Sequence, residues 1–339
     1  MRRRNPGRLL PVASRPVFRP RSILGLTLLS LGLVAPGCGG SSEPERPAPA
    51  AAEFPSARGK TIAEVLEDSG AKPTKLVIAP AAQAFEIGPN RYPFGVFTVG
   101  NEQISDADAA LYFARDEDSP VQGPLPARVS SLETKPAYRA QGTEGPGEAK
   151  TVYVVPKVEF DKPGPWLAIA ILKGANGLEA SRVPSPVVRR RSRVPRIGDR
   201  PPAIHTPTAA SVGGDLAKID TRVPPDQMHE VDFAEALGKK PIVLVFATPA
   251  LCQSRVCGPV VDVAQQVADE YEPEVDFIHQ EVYVDNEIAK GVRPQLKEFG
   301  LETEPWTFLV GKDGRVKDRL EGAYGVAELE QAMQTIVPG

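Results

Sequence analysis

The sequence predicts two successive architectures, an all-β sandwich over residues 73–190 and an α/β domain over residues 191–339, behind a leader at 1–37 and a tether at 38–72. Three observations carry this reading. The first half holds short runs rich in β-branched and aromatic residues, punctuated by Gly, Pro, Asn and Asp, with no helical periodicity between them. The second half alternates apolar strand-length runs with segments whose apolar residues recur at helical spacing. With 41% apolar residues, and with 36 Pro and 30 Gly among 339 residues, the chain has material for real cores and lies below the roughly 25–30% Pro plus Gly of a low-complexity polymer.

The leader comes first. Residues 1–21 carry seven arginines and no acid, and the apolar run Ile23–Ala35 follows, which is the pattern of a secretory signal. Thirteen residues are too few for an ordinary spanning helix, which needs about 20. The run ends Ala35-Pro-Gly-Cys38-Gly-Gly-Ser-Ser. This resembles the bacterial lipoprotein signal, in which the cysteine is lipidated and becomes the new amino terminus. It implies that Cys38 anchors the protein on the extracytoplasmic face of a membrane, or that the protein is secreted if Cys38 stays unmodified. Loss of the seven leader arginines takes the formal charge from −3 to −10, which disfavours a nucleic-acid partner. The Pro-, Ala-, Ser- and Glu-rich stretch up to about residue 58 has little to bury and reads as a disordered tether, followed by a short helical segment at Ile62, Val65 and Leu66.

The expected strands of the sandwich are Gln83–Ile87, Arg91–Val99, Ala109–Arg115, Ala127–Leu132, Thr151–Phe160, Trp166–Lys173 and Val183–Arg189. The phrase Phe160-Asp-Lys-Pro-Gly164-Pro-Trp166-Leu-Ala-Ile resembles a hairpin common in immunoglobulin-like domains of secreted bacterial proteins, which implies an immunoglobulin-like sandwich with Trp166 as a core anchor. The basic run Arg189–Arg196 reads as a solvated linker, with anionic lipid headgroups as the functional alternative.

In the second half Lys240–Phe246 is a continuous apolar run, as expected for a strand covered on both faces. A loop with both remaining cysteines, Cys252 and Cys257, follows. From Pro259 a helix is expected, with Val260, Val263, Ala264, Val267, Ala268 and Tyr271 on one face. Val275–Val284 reads as a strand, Asn286–Phe299 as a helix interrupted by Pro294, Trp306–Val310 and Arg315–Leu320 as a hairpin around Gly311-Lys-Asp-Gly314, and Val326–Val337 as a closing helix.

That order, with an aliphatic strand ending at Phe246 before a cysteine motif and with the stretch Gly300–Val316, resembles the thioredoxin family. The resemblance implies a thioredoxin-like domain in which Pro305 is the cis-proline shaping a substrate groove and the two cysteines exchange disulfides with protein thiols. The stretch Arg196–Ile204 resembles the opening segment of the secreted redoxins. The family's usual pair has two residues between its cysteines, whereas Cys252-Gln-Ser-Arg-Val-Cys257 has four. Residues five apart in a helix are displaced about 7.5 Å along its axis, while a disulfide needs Cα atoms about 4.4–6.8 Å apart. Both cysteines therefore cannot lie in one helix and be bonded: either Cys252 sits on the preceding loop or the first turn unwinds. Counting from Phe246 puts Cys252 at the nucleophile position, whereas Cys257-Gly-Pro mimics the Cys-Gly-Pro of the usual motif; the first is favoured. A thiolate at a helix start is stabilised by unpaired amides, and Arg255 adds positive charge. Val245 stands where thioredoxins often carry a buried acid.

Other readings compete. Thr248-Pro-Ala-Leu-Cys252-Gln-Ser-Arg-Val-Cys257-Gly resembles the bacterioferritin-comigratory type of peroxiredoxin and implies a thiol peroxidase. Cys252, Cys257 and His279 together suit copper, as in metal-delivering assembly proteins, although a strand histidine such as His279 is more often an ordinary satisfied residue. His205 and His229 show no ligand spacing. An inert disulfide on a degenerate redox fold is the non-enzymatic alternative. The sequence holds no Gly-rich phosphate loop, paired catalytic carboxylates or serine triad, so no cofactor is expected.

Overall fold

The computed structural model describes residues 45–141, 149–174, 177–252 and 254–337. The leader and Cys38 lie outside them. From Glu45 onward the described residues belong to one compact unit, a mixed α/β structure with three main sheets.

Two sheets are built by the first half. Val77–Pro80 (β2), Gly88–Phe97 (β3), Arg128–Ser131 (β6) and Thr151–Phe160 (β7) pair in the order β2-β3-β7-β6, and every neighbouring pair is antiparallel. Lys72–Pro73 (β1), Asp108–Ala114 (β4), Gln122–Pro126 (β5), Leu167–Gly174 (β9) and Gly177–Val183 (β10) pair in the order β1-β10-β9-β4-β5. A small ribbon joins Gly164–Pro165 (β8) to Val187–Val188 (β11). Tyr92, Phe94 and Tyr153 from the first sheet and Leu111, Phe113 and Ala170 from the second share one buried core. Trp166 is in that core, 5.0 Å from Phe160 between ring centroids, and its indole N–H donates to the Lys162 carbonyl. This is the anchoring role expected of it.

Two expectations are corrected here. Residues 45–72 do not trail away as a tether. Every residue of β4 except Asp108 is buried, so the strand needs cover on both faces. Leu111 and Phe113 face the shared core, while Ala110, Tyr112 and Ala114 pack with Phe54, Ala57 and Val65. Val65 lies on the helix Ile62–Ser69 (α1), which Thr61 and Glu64 close with a reciprocal capping box and Gly70 ends in the left-handed conformation. The second correction is Gln83–Ile87, which forms no strand. Its backbone reaches toward the second half, where Gln83 and Ala84 N–H groups donate to the Glu321 carboxylate, and Phe85 turns inward to stack on Tyr92.

The second half forms the third sheet. Ile242–Phe246 (β12) pairs in parallel with Asp276–Gln280 (β13) and antiparallel with Trp306–Val310 (β14), which pairs antiparallel with Val316–Glu321 (β15), giving the order β13-β12-β14-β15. All five residues of β12 are buried. Val243 and Val245 pack on one side against Cys257–Tyr271 (α3) and Val326–Met333 (α5). Ile242, Leu244 and Phe246 pack on the other against Phe233 of the short helix Phe233–Ala236 (α2) and Leu296 of Pro294–Glu298 (α4). The alternation of β12 between two apolar faces is the physical reason its sequence reads as an unbroken apolar run. Among the described residues no helix is long and apolar enough to cross a membrane.

The basic run at 189–196 is not a free linker. Arg189 pairs with both oxygens of Glu302, and Arg196 pairs with Glu86 at 2.6 Å.

Candidate functional site

The strand β12 delivers the chain at Ala247 into a loop, and α3 starts at Cys257. Cys252 lies on that loop and Cys257 is the first residue of the helix. The pair is bonded with a Cα–Cα distance of 6.0 Å, within the disulfide range. Of the two arrangements that the four-residue gap permits, the loop position is the one adopted.

The two sulfurs differ in access. Cys252 is half-buried, and Ser254 Oγ lies 3.2 Å from its Sγ; since a bonded sulfur has no hydrogen, the hydroxyl donates. Cys257 is fully buried and packs in the core with Val245, Val260 and Val261. Val256 is buried between them against Leu132, Val152 and Val154 of the first half, so the cysteine loop rests on the β6–β7 edge. Arg255 takes a positive φ of 57°, a backbone conformation uncommon outside glycine. Thr248 is fully buried, and its Oγ1 has no hydrogen-bond partner among the described residues.

The Glu304–Pro305 peptide is cis. Pro305 directly precedes β14, whose first residue Trp306 pairs with Phe246 at the end of β12 from which the cysteine loop leaves. The Pro305 carbonyl accepts from Gly322 N–H. A cleft of about 660 Å³ runs beside this segment, lined by Phe85, Pro186, Arg189, Glu302, Thr303 and Trp306 among others; neither cysteine lines it.

His279 has a different setting from the one a copper site with the cysteines requires. It lies on β13 opposite Val245, with Nδ1 2.7 Å from Asp226 and Nε2 3.2 Å from the Ala247 carbonyl. Both ring nitrogens are thus engaged away from the sulfurs. Burial works against a charge on this ring, but the Asp226 carboxylate, with Asp220 behind it, overrides that and raises its pKa. Asp220, Asp226, His229 and His279 form a buried group whose candidate ligand atoms all lie within 4.8 Å of one another. Sequence reasoning missed this group. His229 lacks local ligand spacing because its partner His279 is brought to it across the fold, by the His279 N–H that donates to the Met228 carbonyl. The signal available was the spacing Asp220-x5-Asp226-x2-His229. His205 stands apart, exposed and paired with Asp232.

On one flank of α3, Asp262 accepts from Arg222 Nε at 2.8 Å and from Ala140 N–H at 3.0 Å, and the Lys135 N–H donates to Gln266. The segment 132–141 of the first half therefore lies along the helix that carries Cys257.

No family model and no curated protein matches the chain. Among solved structures, one described as a thiol:disulfide interchange protein DsbE from Chlorobium tepidum is similar over 42% of this chain and 98% of its own, at 14% identity and a TM-score of 0.30. The chemistry of the site therefore rests on its own residues.

Proposed function

We propose that the second half is a thioredoxin-like domain and that the Cys252–Cys257 pair carries out thiol–disulfide exchange with protein partners, on an extracytoplasmic protein tethered through Cys38. One observation supports the chemistry above the others: a half-buried cysteine on a loop is bonded to a fully buried cysteine at the start of the helix that follows the central strand. That asymmetry is what an attacking and a resolving sulfur need. In the reduced protein the Cys252 thiolate attacks a partner disulfide and forms a mixed disulfide, and one partner sulfur leaves as a thiolate that takes up a proton. The Cys257 thiolate then attacks Cys252 Sγ, the second partner sulfur leaves, and two electrons have passed to the partner. Run backward, the same steps oxidise a partner dithiol. The first half of the chain would act as an immunoglobulin-like platform under the cysteine loop.

The test uses the mature chain with single serine replacements. Cys257→Ser is expected to accumulate a mixed disulfide through Cys252 with a reporter protein disulfide, and Cys252→Ser to accumulate none. Wild-type protein is expected to gain two titratable thiols on reduction and to lose both when it reduces the reporter. Absence of exchange in the wild type overturns the reading, and turnover of hydrogen peroxide in its place would reassign the pair to a thiol peroxidase.

A further inference from the structure

We infer that Asp220, Asp226, His229 and His279 form a binding site for one divalent transition-metal ion, zinc foremost, behind the cysteine loop and independent of the thiol chemistry proposed above. All four residues are buried. The two carboxylates supply negative charge that a dication would offset, and binding would release any imidazole proton. Arg222, two residues from Asp220, is already committed to Asp262 at 2.8 Å and to the Pro224 and Tyr138 carbonyls.

The second observation is His229. It is 1% exposed, and neither of its ring nitrogens has a hydrogen-bond partner among the described residues. Its Nε2 lies 3.3 Å from Asp220 Oδ2 and 3.3 Å from Asp226 Oδ1 without the geometry of a hydrogen bond to either. A buried imidazole left this way forfeits about 1–3 kcal/mol. A metal ion between these atoms would give Nε2 the partner it lacks. Ligand bonds of about 2.0–2.2 Å put tetrahedral donors about 3.4 Å apart, close to the two separations at His229 Nε2; His279 Nδ1 meets the other oxygen of each carboxylate, 3.9 Å from Asp220 Oδ1 and 2.7 Å from Asp226 Oδ2, the second a hydrogen-bond distance that an ion would have to open.

Three of the four residues are held by hydrogen bonds to the backbone, as ligands in metal sites are. The His279 Nε2–H donates to the Ala247 carbonyl at 3.2 Å, and Nδ1, hydrogen-bonded to Asp226 at 2.7 Å, would release its proton on taking up the ion. Asp220 accepts from the backbone N–H groups of Arg222 and Asp226, both at 2.7 Å, and Asp226 accepts from the Met228 N–H at 2.8 Å. Each of those oxygens keeps a second lone pair. Two nitrogens and two oxygens suit zinc, and cobalt as its spectroscopic substitute, better than they suit calcium or copper(I). The ion would pin the irregular stretch from Asp220 to Asp232 against β13 and, through Ala247, fix the base of the cysteine loop.

Elemental analysis of the purified full chain after dialysis is expected to give about one zinc per chain. After chelation, cobalt(II) is expected to restore one equivalent with d–d bands and no thiolate charge-transfer band, and to do so equally in a Cys252→Ser, Cys257→Ser double variant. His229→Gln is expected to weaken zinc binding by more than the roughly 10–100-fold typical of losing a residue that only orients a ligand. Wild-type protein that carries no metal, and that after chelator treatment takes up no zinc, cobalt, manganese or iron(II) while still folded, overturns the site. So does metal that is lost in the cysteine double variant and kept in His229→Gln. Should His229→Gln fail to fold, the wild-type uptake and the cobalt spectrum decide alone.

Discussion

At the scale of single residues, the cysteine pair is defined by a difference in exposure that its sequence spacing did not state. Cys257 is sealed among Val245, Val260 and Val261, whereas Cys252 reaches the surface beside Ser254. In the reduced protein a small alkylating agent is therefore expected to label Cys252 at least about tenfold faster than Cys257, a ratio read by mass spectrometry of timed digests, since reactivity follows exposure as well as thiolate fraction. Equal rates would contradict the assignment of roles. A second residue-scale prediction concerns the neighbouring core. Tyr324 and Thr307 share a buried hydroxyl pair at 2.7 Å on the same side of the sheet as Cys257. Tyr324→Phe leaves the threonine hydroxyl without that partner and is expected to lower the unfolding free energy by about 1–2 kcal/mol in urea titrations. The cysteines were legible in the sequence because so few thiols remain after the leader that each carries information. The Asp and His group was not, because it is assembled from residues 50 or more positions apart whose meeting depends on the β12–β13 pairing and on the backbone bond from the His279 N–H to the Met228 carbonyl in an irregular segment.

At the scale of elements, what the sequence made readable follows from how each strand is buried. Thr151–Phe160 and Trp306–Val310 match their expected limits because their runs are bounded sharply, by Lys150 and Asp161 in the first case and by Pro305 and Gly311 in the second. The strands β2, β5 and β10 were missed: their residues are mostly half-buried, so neither alternation nor a continuous apolar run marks them. The chain before residue 72 was misjudged for the opposite reason. Its few apolar residues are sparse in sequence, yet Phe54, Ala57 and Val65 all land on the second face of β4. That cover is testable. Phe54 is 5% exposed, and the ammonium of Lys173 lies 5.3 Å from its ring centroid. Phe54→Ala is expected to destabilise the protein by about 3 kcal/mol through lost burial and a residual cavity, with faster hydrogen exchange confined first to α1 and β4. A surface tether would show no change in either.

At the scale of the whole molecule, the two halves are joined by contacts that tolerate little substitution. Gly325 sits against the Ser131 carbonyl so closely that a Cβ there would overlap a backbone atom, and its φ of −91° means the obstacle is contact alone. Gly325→Ala is therefore expected to destabilise the unit by about 1–3 kcal/mol, as overpacking does, and to expose the cysteine loop to protease, because Val256 and Ala323 share one apolar cluster with Leu132 and Val154. Beside it Glu328 on α5 pairs with Arg91 at 2.7 Å and Arg128 at 2.5 Å, both from the first half, with only 8% of its own side chain exposed. Burial alone would raise this carboxyl, but the Arg91 and Arg128 guanidinium groups outweigh it and hold its pKa below the ordinary value. The sign of the pH effect follows. A carboxyl depressed in the folded state contributes stability that is complete above its unfolded pKa and is lost as pH falls through its folded pKa. Glu328→Gln takes the carboxylate from two arginines that keep only their carbonyl, hydroxyl and outer Glu45 partners, and is expected to cost about 2–4 kcal/mol at pH 7. Below the depressed folded pKa the protonated wild-type side chain and the glutamine become equivalent, and the gap should close. Glu321, accepting from Gln83, Ala84 and Thr303, is raised by burial and has the opposite trend, so wild-type stability alone mixes the two. The difference between wild type and Glu328→Gln, measured by urea unfolding from pH 7 down through the acid range, isolates the ion pairs. A gap that stays constant with pH would mean that Glu328 joins the halves by packing and not by charge.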